Sequence, residues 1–425
     1  MASRQSGVGP VVDMARAPAP TGLHAILASD LVPPLAVFLT SSILIVSLAA
    51  IVVSSPFVAA EISVPTYFSR PSLTPLEESL LGTWQHWDGL WYLKISTHGY
   101  AVDDYSIAFF PLYPILVKLL GDLLQTHYLL AGVVLSSLAY LAGLLYLYRL
   151  ARLEFSSRGL ALTTLIYLAV FPTSFFFFAV YSESLYLALT VAAFYYLRRR
   201  SWVAACLLGM LASLTRSTGL LLIVPLAIEY FHQRGFSLRR PGWDLGYLLL
   251  IPLGSLCYAV YNFFAFGDPF AFLAAQEHWY RNFALPWDTL RDAWDKALLE
   301  ANIPLVTEPG DSLIWQLLYT GNLVSGQVFN LLFFALGVLL AAFGATRLRP
   351  AYTAYLFLNL LPPLVSPSDL MPLLSVPRFL LVLFPVFFVL ASLGRNRFVN
   401  GLTIGGLFLL LIVFVIRFAG WYWVA

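Results

Sequence analysis

A carboxylate, Asp88, stands in the stretch HWDGLWYLKISTHGY, His86 to Tyr100, with Trp84, Trp87, Trp91 and Tyr92 around it in the chain. An acid in that setting suits removal of the proton from a hydroxyl as the oxygen attacks a reacting carbon. Arginines of the kind that receive a phosphate stand elsewhere, Arg216 in TRSTG and Arg378 in SVPRF. A guanidinium is planar, permanently charged and able to form paired hydrogen bonds with phosphate oxygens. Glu183 in YSESLY, Asp103 and Asp104 in AVDDYS, and His86 complete the polar set. Acids and arginines together at a lipid boundary suit a substrate with a phosphate and a sugar at one end and a lipid tail at the other. Trp87 and Trp91 suit either stacking on a sugar ring or anchoring at headgroup depth.

Each residue also has a structural reading. Asp88 is placed to cap a helix, and Glu183 with Ser182 to cap a tight turn. Arg216 can snorkel to headgroups, and Arg378 can anchor a helix end. His86, His98 and His278 lack metal-ligand spacing and read more simply as hydrogen-bonding groups. No dinucleotide fingerprint, Walker A loop or zinc pattern is present.

The elements that must position these residues are membrane helices. Of 425 residues, 60% are hydrophobic, 16% aromatic and only 11% charged, against about 25% charged in a soluble domain. That composition excludes a soluble enzyme and gives an all-α, polytopic membrane protein. Its two cysteines, Cys206 and Cys257, lie inside apolar runs and imply no disulfide framework. Residues 1–30, rich in Pro, Ala and Gly, read as a disordered cytoplasmic tail, and 31–425 as a single transmembrane domain.

Apolar runs of spanning length fall near 31–57, 127–148, 160–180, 245–266, 314–343 and 399–418, with shorter ones near 181–197, 202–215, 218–232, 351–366 and 377–393. Basic clusters orient them: Arg149, Arg152 and Arg158; Arg198 to Arg200; Arg234, Arg239 and Arg240; Arg347 and Arg349; Arg395 and Arg397. Placing all five inside gives about eleven spans, with the N-terminus cytoplasmic and the C-terminus outside. The segment IAFFPLYPILVKLL at 107–120 is too short to cross a core of about 30 Å, so it reads as a re-entrant or surface-lying helix. Residues 58–126 then form one long outer loop. It contains an amphipathic piece opened by a Thr74–Glu77 capping box and a second one from Asp88 to Gly99. A second outer loop, 267–312, carries WYRNFALPWDTLRDAW with Arg281, just after His278. The pair 202–215 and 218–232 must rise and return between two basic flanks, with TRSTG at its apex. Arg216 is thereby held at the depth where an ionisable group normally faces a cavity.

Four blocks in this order, WDGLWYLKISTHGY, AFFPLYP (Ala108 to Pro114), AVYSESLY (Ala179 to Tyr186) and TRSTGLL (Thr215 to Leu221), resemble the PIG-V family, the GPI second-mannose mannosyltransferases and their bacterial relatives. SVPRFLLVLFP is similar to the family's C-terminal arginine-bearing span. The resemblance implies a GT-C type integral-membrane glycosyltransferase with a polyprenyl-phosphate-mannose donor. It also implies an active site on the non-cytoplasmic face, transfer with inversion, and Asp88 as the catalytic carboxylate. His86, Trp87, Trp91, Asp103, Asp104, Glu183, Arg216 and Arg378 are then the expected substrate-binding residues. AVDDYS departs from the family's Tyr and Glu before the AFFP block, and either Asp103 or Asp104 fills that place. No cofactor or metal is expected. The acceptor is a lipid, glycan or protein hydroxyl, no nucleic acid is involved, and the setting is a bacterial plasma membrane. The competing class is a polytopic lipid or sugar transporter or flippase, against which stand the absence of a repeated half and the gathering of acids on one side. A GT-C enzyme with another sugar or a protein acceptor is the third reading.

Overall fold

The structure is a computed structural model. It describes residues 30–55, 73–237, 242–301, 326–394 and 396–424. The expected tail at 1–29, the first part of the outer loop to residue 72 and the end of the second outer loop lie outside the described residues. Among the described residues the regular elements are helical, and a single isolated bridge joins Arg281 to Ser368.

In chain order the helices are α1 (Val32–Val53), α2 (Pro75–Leu81), α3 (Asp88–His98), α4 (Leu112–Leu123), α5 (Tyr128–Phe155), α6 (Arg158–Ala169), α7 (Glu183–Arg198), α8 (Trp202–Thr215) and α9 (Ile223–His232). There follow α10 (Leu250–Phe266), α11 (Ala271–His278), α12 (Pro286–Ala301), α13 (Gln327–Ala345), α14 (Pro350–Leu360, followed by a single helical turn at Pro362–Val365), α15 (Val376–Leu381), α16 (Pro385–Leu393) and α17 (Arg397–Ala419). Among the described residues, five stretches are long and apolar enough to cross a membrane: α1, α5, Trp243–Phe266, α13 and α17, of 19 to 28 residues. At 1.5 Å per residue, about 20 residues cover a hydrocarbon core, and the chain is a multi-pass membrane protein.

Two apolar runs that read as continuous spans are broken in the structure. The run at 160–180 is helical only to Ala169 and then continues as buried irregular chain with a short 3₁₀ turn at Ser174–Phe177. The run at 377–393 divides into α15 and α16. Pro172 and Pro385 lie at the breaks and cannot donate the helical hydrogen bond. Irregular backbone survives at such depth only when protein surrounds it. Here the first break packs against α15 and α16: Thr173 Oγ1 donates to the Pro377 carbonyl at 3.0 Å, the Phe171 ring meets Phe387 at 5.5 Å, and Phe171, Phe175, Phe176 and Phe177 are all buried.

Between residues 73 and 126 the expected capping box and helix end are present. Thr74 and Glu77 form the reciprocal capping box, and Gly99 ends α3 at φ 80°. α4 has 12 residues. It buries Tyr113 and Val117 completely while exposing Ile115, Leu119 and Leu123, spaced four apart on one face. The chain reverses at Arg216, which leaves α8 in an extended conformation before a 3₁₀ turn at Ser217–Leu222 leads into α9.

Two of the five basic clusters meet at one buried acid. Glu229, 1% exposed, accepts from Arg349 at 2.8 and 3.1 Å, and Arg198 lies 3.7 Å from it. Arg198 also donates to Glu154 at 2.6 Å. These pairs tie α5, α7, α9 and the start of α14, while Arg216 lies at the far end of α8, about 20 Å away by helical rise.

α8 and α10 approach closely at Gly254, where an added Cβ would overlap Ser213 Oγ and the Met210 carbonyl. The same Ser213 hydroxyl donates to the Ile251 carbonyl at 2.7 Å. Gly254→Ala should therefore force the helices apart and destabilise the protein by about 1–3 kcal/mol. Thermal unfolding in detergent checks this, and an unchanged midpoint would refute the tight approach.

Candidate active site

α3 begins at Asp88 itself, so Asp88 is not the cap of its helix. The capping position is Trp87, with φ 55° and no side-chain cap bond. Such a φ is uncommon for a bulky residue, and the surroundings hold it. The Tyr181 hydroxyl accepts from the Asp88 N–H at 3.0 Å and donates to the His86 carbonyl at 3.1 Å. His86 is buried, stacks on Trp421 at 3.5 Å and places Nδ1 2.9 Å from the Phe418 carbonyl. Trp87 meets Trp423 edge-on at 5.1 Å. The turn is thus clamped by α17 and the segment after it, and the clamp points the Asp88 carboxylate into a cavity.

That cavity has a volume of about 660 Å³. Asp88, Glu183, Arg216, Arg281 and Arg378 all reach its wall, with Trp87 and Trp91, and the rest of the lining is mainly aromatic and aliphatic. Arg378 Nη1 donates to Asp88 Oδ2 at 2.6 Å, and its Nε lies 3.6 Å from Glu183 Oε1. Arg216 Nη1 donates to the same Glu183 oxygen at 2.6 Å and lies 3.4 Å from Ser182 Oγ, a hydroxyl that also accepts from Tyr92 at 2.9 Å. Glu183, 1% exposed, is the first residue of α7, where the helix dipole favours a negative charge. Asp88, Arg378, Glu183 and Arg216 therefore form one alternating chain of charges, gathered from α3, α15, α7 and the end of α8.

Other expected site residues lie elsewhere. His86 sits behind the cavity in the clamp just described. Asp103 is exposed. Asp104 forms an ion pair with Lys94 and accepts from the Ser106 N–H at 2.9 Å. Neither aspartate lines the cavity. Trp84 is buried core and donates to the Leu80 carbonyl at 2.8 Å. His278 stacks on Tyr105 at 3.4 Å, outside the cavity lining. Among the described residues no group of three or more His, Cys, Asp and Glu side chains could hold a metal.

Partial burial pushes the Asp104 carboxyl up, but hydrogen bonds from Lys94 and Ser106 outweigh it and hold the group below its ordinary value of 3.8. A depressed carboxyl contributes stability above its unfolded value and loses it as pH falls through the folded one. Asp104→Asn should thus lower the unfolding midpoint modestly at pH 7. The gap from the native protein should close as pH falls below the ordinary value. A gap that widened on acidification would exclude this role for the pair.

Sequence reasoning did not single out two features of the site, Tyr181 and the C-terminal pair Trp421 and Trp423, and it named Arg281 in the second outer loop without counting it among the expected substrate-binding residues. Tyr181 lies inside the AVYSESLY block, and the C-terminal WYW cluster stands out by composition. Their proximity to Asp88 is a long-range contact that spacing does not reveal.

Fold and site together define a multi-pass helical membrane protein with an acid–arginine cavity. The family model described as Mannosyltransferase (PIG-V) matches residues 28–317, and the chain belongs to that family. GPI alpha-1,6-mannosyltransferase 2 of Rattus norvegicus is 35% identical over 169 residues, 36% of this chain and 34% of its own. The Homo sapiens protein of that name is 29% identical over 241 residues, 52% of this chain and 46% of its own. GPI mannosyltransferase 2 of Drosophila melanogaster is 30% identical over 180 residues, 38% of each chain. The chain spans between a third and a half of the length of these curated relatives. Among solved structures, the Archaeoglobus fulgidus oligosaccharyltransferase is similar over 92% of this chain and 55% of its own, at 12% identity and a TM-score of 0.40. That score is too low to carry a fold assignment.

Proposed function

We propose that the protein is a GT-C type mannosyltransferase that moves mannose from a polyprenyl-phosphate-mannose donor to an acceptor hydroxyl on the non-cytoplasmic face, with inversion. The observation that carries this reading is the presence of Asp88 and three guanidiniums on the wall of one cavity in a membrane protein. Family membership supports the sugar, and the names of the rat and human relatives specify mannosyl transfer in α-1,6 linkage.

In this mechanism the donor keeps its prenyl chain among apolar side chains and presents its phosphate to the arginines. The acceptor hydroxyl gives its proton to Asp88 as its oxygen attacks the anomeric carbon, and the bond from that carbon to the phosphate oxygen breaks. The negative charge that develops on the departing phosphate is met by fixed cations in a partly dry site, which is typically the larger catalytic term. General-base assistance contributes about 10²–10⁴-fold. Asp88 Oδ1 accepts no hydrogen bond among the described residues, while Oδ2 is held by Arg378, so the first oxygen faces the acceptor. His86 and Tyr181 fix the turn that aims it, and Trp87 and Trp91 flank the sugar.

The test is to incubate membranes containing the protein with radiolabelled polyprenyl-phosphate mannose and fractionate the products. Label in a lipid, glycan or protein fraction supports the reading and identifies the acceptor class. Uptake of the donor into vesicles without transfer would overturn it in favour of transport.

A further inference from the structure

Two of the three cavity arginines are already neutralised. Arg216 is bonded to Glu183, and Arg378 to Asp88 and, at longer range, to Glu183. Arg281 has no carboxylate within 4.0 Å among the described residues, and its guanidinium makes one hydrogen bond, from Nη1 to the Ser366 carbonyl at 3.1 Å. The cavity wall thus carries three positive and two negative charges, and the surplus cation is Arg281. All three guanidiniums lie within 6 Å of the Phe379 ring, at 5.8 Å for Arg216 and Arg281 and 5.9 Å for Arg378. All three thus pack around that ring, and all three line the same cavity.

The segment bearing Arg281 is held rigidly from behind. Its backbone bridges to Ser368, the Asp369 N–H donates to the Tyr280 carbonyl at 2.7 Å, and the Asn282 and Ala284 N–H groups donate to the Pro367 and Val365 carbonyls. The Asn282 amide and the Lys296 ammonium add bonds to Asp369, at 2.7 and 2.6 Å. A cation fixed in this way needs little reorganisation when an anion arrives. Burial above all, and then the Arg378 and Arg216 guanidiniums against an opposing effect of Asp88, push Arg281 down to about 10, so an incoming anion would favour its charged form.

We infer that Arg281 is the primary anchor for the phosphate of a lipid monophosphate, with Arg216 and Arg378 committed chiefly to ordering the two carboxylates. This rests on the lipid-phosphate reading above and deepens it. It also divides labour within the site: the anchor lies on the loop before α12, whereas the pair that orders Asp88 lies on α15 and α7.

Binding of farnesyl phosphate and of uncharged farnesol to the full chain in detergent tests it, followed by tryptophan emission or calorimetry. The native protein should prefer the phosphate, with a preference that falls as salt rises. Arg281→Gln should weaken farnesyl phosphate by tenfold or more and leave farnesol within about twofold, and Arg281→Lys should restore part of the loss. Equal binding of farnesyl phosphate by Arg281→Gln and native protein would overturn the assignment, and so would parallel loss of both ligands, which marks a structural role. If Arg281→Gln does not fold, the Lys variant decides: a reduced phosphate preference with unchanged farnesol affinity supports the anchor, and an unchanged preference removes it. A native protein that does not distinguish phosphate from alcohol would instead remove the lipid-phosphate reading itself.

Discussion

Asp88→Asn is expected to lower mannosyl transfer by about 10²–10⁴-fold, the range by which a positioned general base accelerates proton transfer. The change is nearly isosteric, and the amide oxygen can still accept from Arg378, which keeps Glu183 as a second partner 3.6 Å away. The backbone bond from residue 88 to the Tyr181 hydroxyl is untouched, so the turn at Trp87 should persist. Folding and donor affinity are therefore expected to stay close to native while turnover collapses, the pattern of an interaction made in the transition state. Single-turnover transfer and donor binding, measured on the same detergent preparation, separate the two. Turnover within a few fold of native would take the proton-accepting role away from Asp88.

Glu183→Gln should have the largest effect on stability. Glu183 is a buried carboxylate shared by two arginines, and breaking a buried pair by removing one partner typically costs about 3–5 kcal/mol, because charge is left uncompensated. Arg216 would lose the acid that holds it, and its remaining contacts, with Ser182 Oγ and the rings of Tyr186 and Phe379, are weaker. The sign of a second effect distinguishes this account from a simple packing defect. Removing one negative charge raises the cavity's surplus from one positive charge to two. An anionic ligand that binds only the folded state should then stabilise the variant more than the native protein. The expected result is a lower unfolding midpoint without ligand and a larger upward shift on adding farnesyl phosphate. An unchanged midpoint, or a shift smaller than native, would show that the Asp88–Arg378–Glu183–Arg216 chain does not govern the charge of the site.

Much of the site was legible because its parts are local signals. Asp88 among tryptophans, Glu183 at a helix start and Arg216 at a reversal between two short apolar runs each stand out where charge is scarce. The alternating apolar and basic segments read as membrane helices with their basic ends on one side, and Arg198 and Arg349, from two of those clusters, meet at Glu229 while Arg198 also pairs with Glu154. The breaks at Pro172 and Pro385 were less legible. Composition over 160–180 and 377–393 is uniformly apolar, and a proline in such a run is compatible with a kinked helix as well as a broken one. Which occurs depends on whether neighbouring chain can satisfy the freed backbone groups. The role of Asp104 was hidden for a related reason, since Lys94, ten residues earlier, meets it only because α3 ends at Gly99 and the chain folds back.

The sequence by itself determined that this is a helical membrane protein, where most of its apolar runs lie, and which few charged side chains stand in an otherwise apolar chain. Hydrophobic run length, glycine and proline chemistry and the cost of burying charge act over short stretches, so they can be read without knowing the fold. Only the tertiary structure decided which charges pair. Asp88 and Arg378 are 290 residues apart, and Arg281 is left as the surplus cation because Glu183 and Asp88 have taken the other two arginines. Pairing at such separation follows from how whole helices pack, and it is that packing which turns scattered ionisable residues into a cavity with a net positive charge.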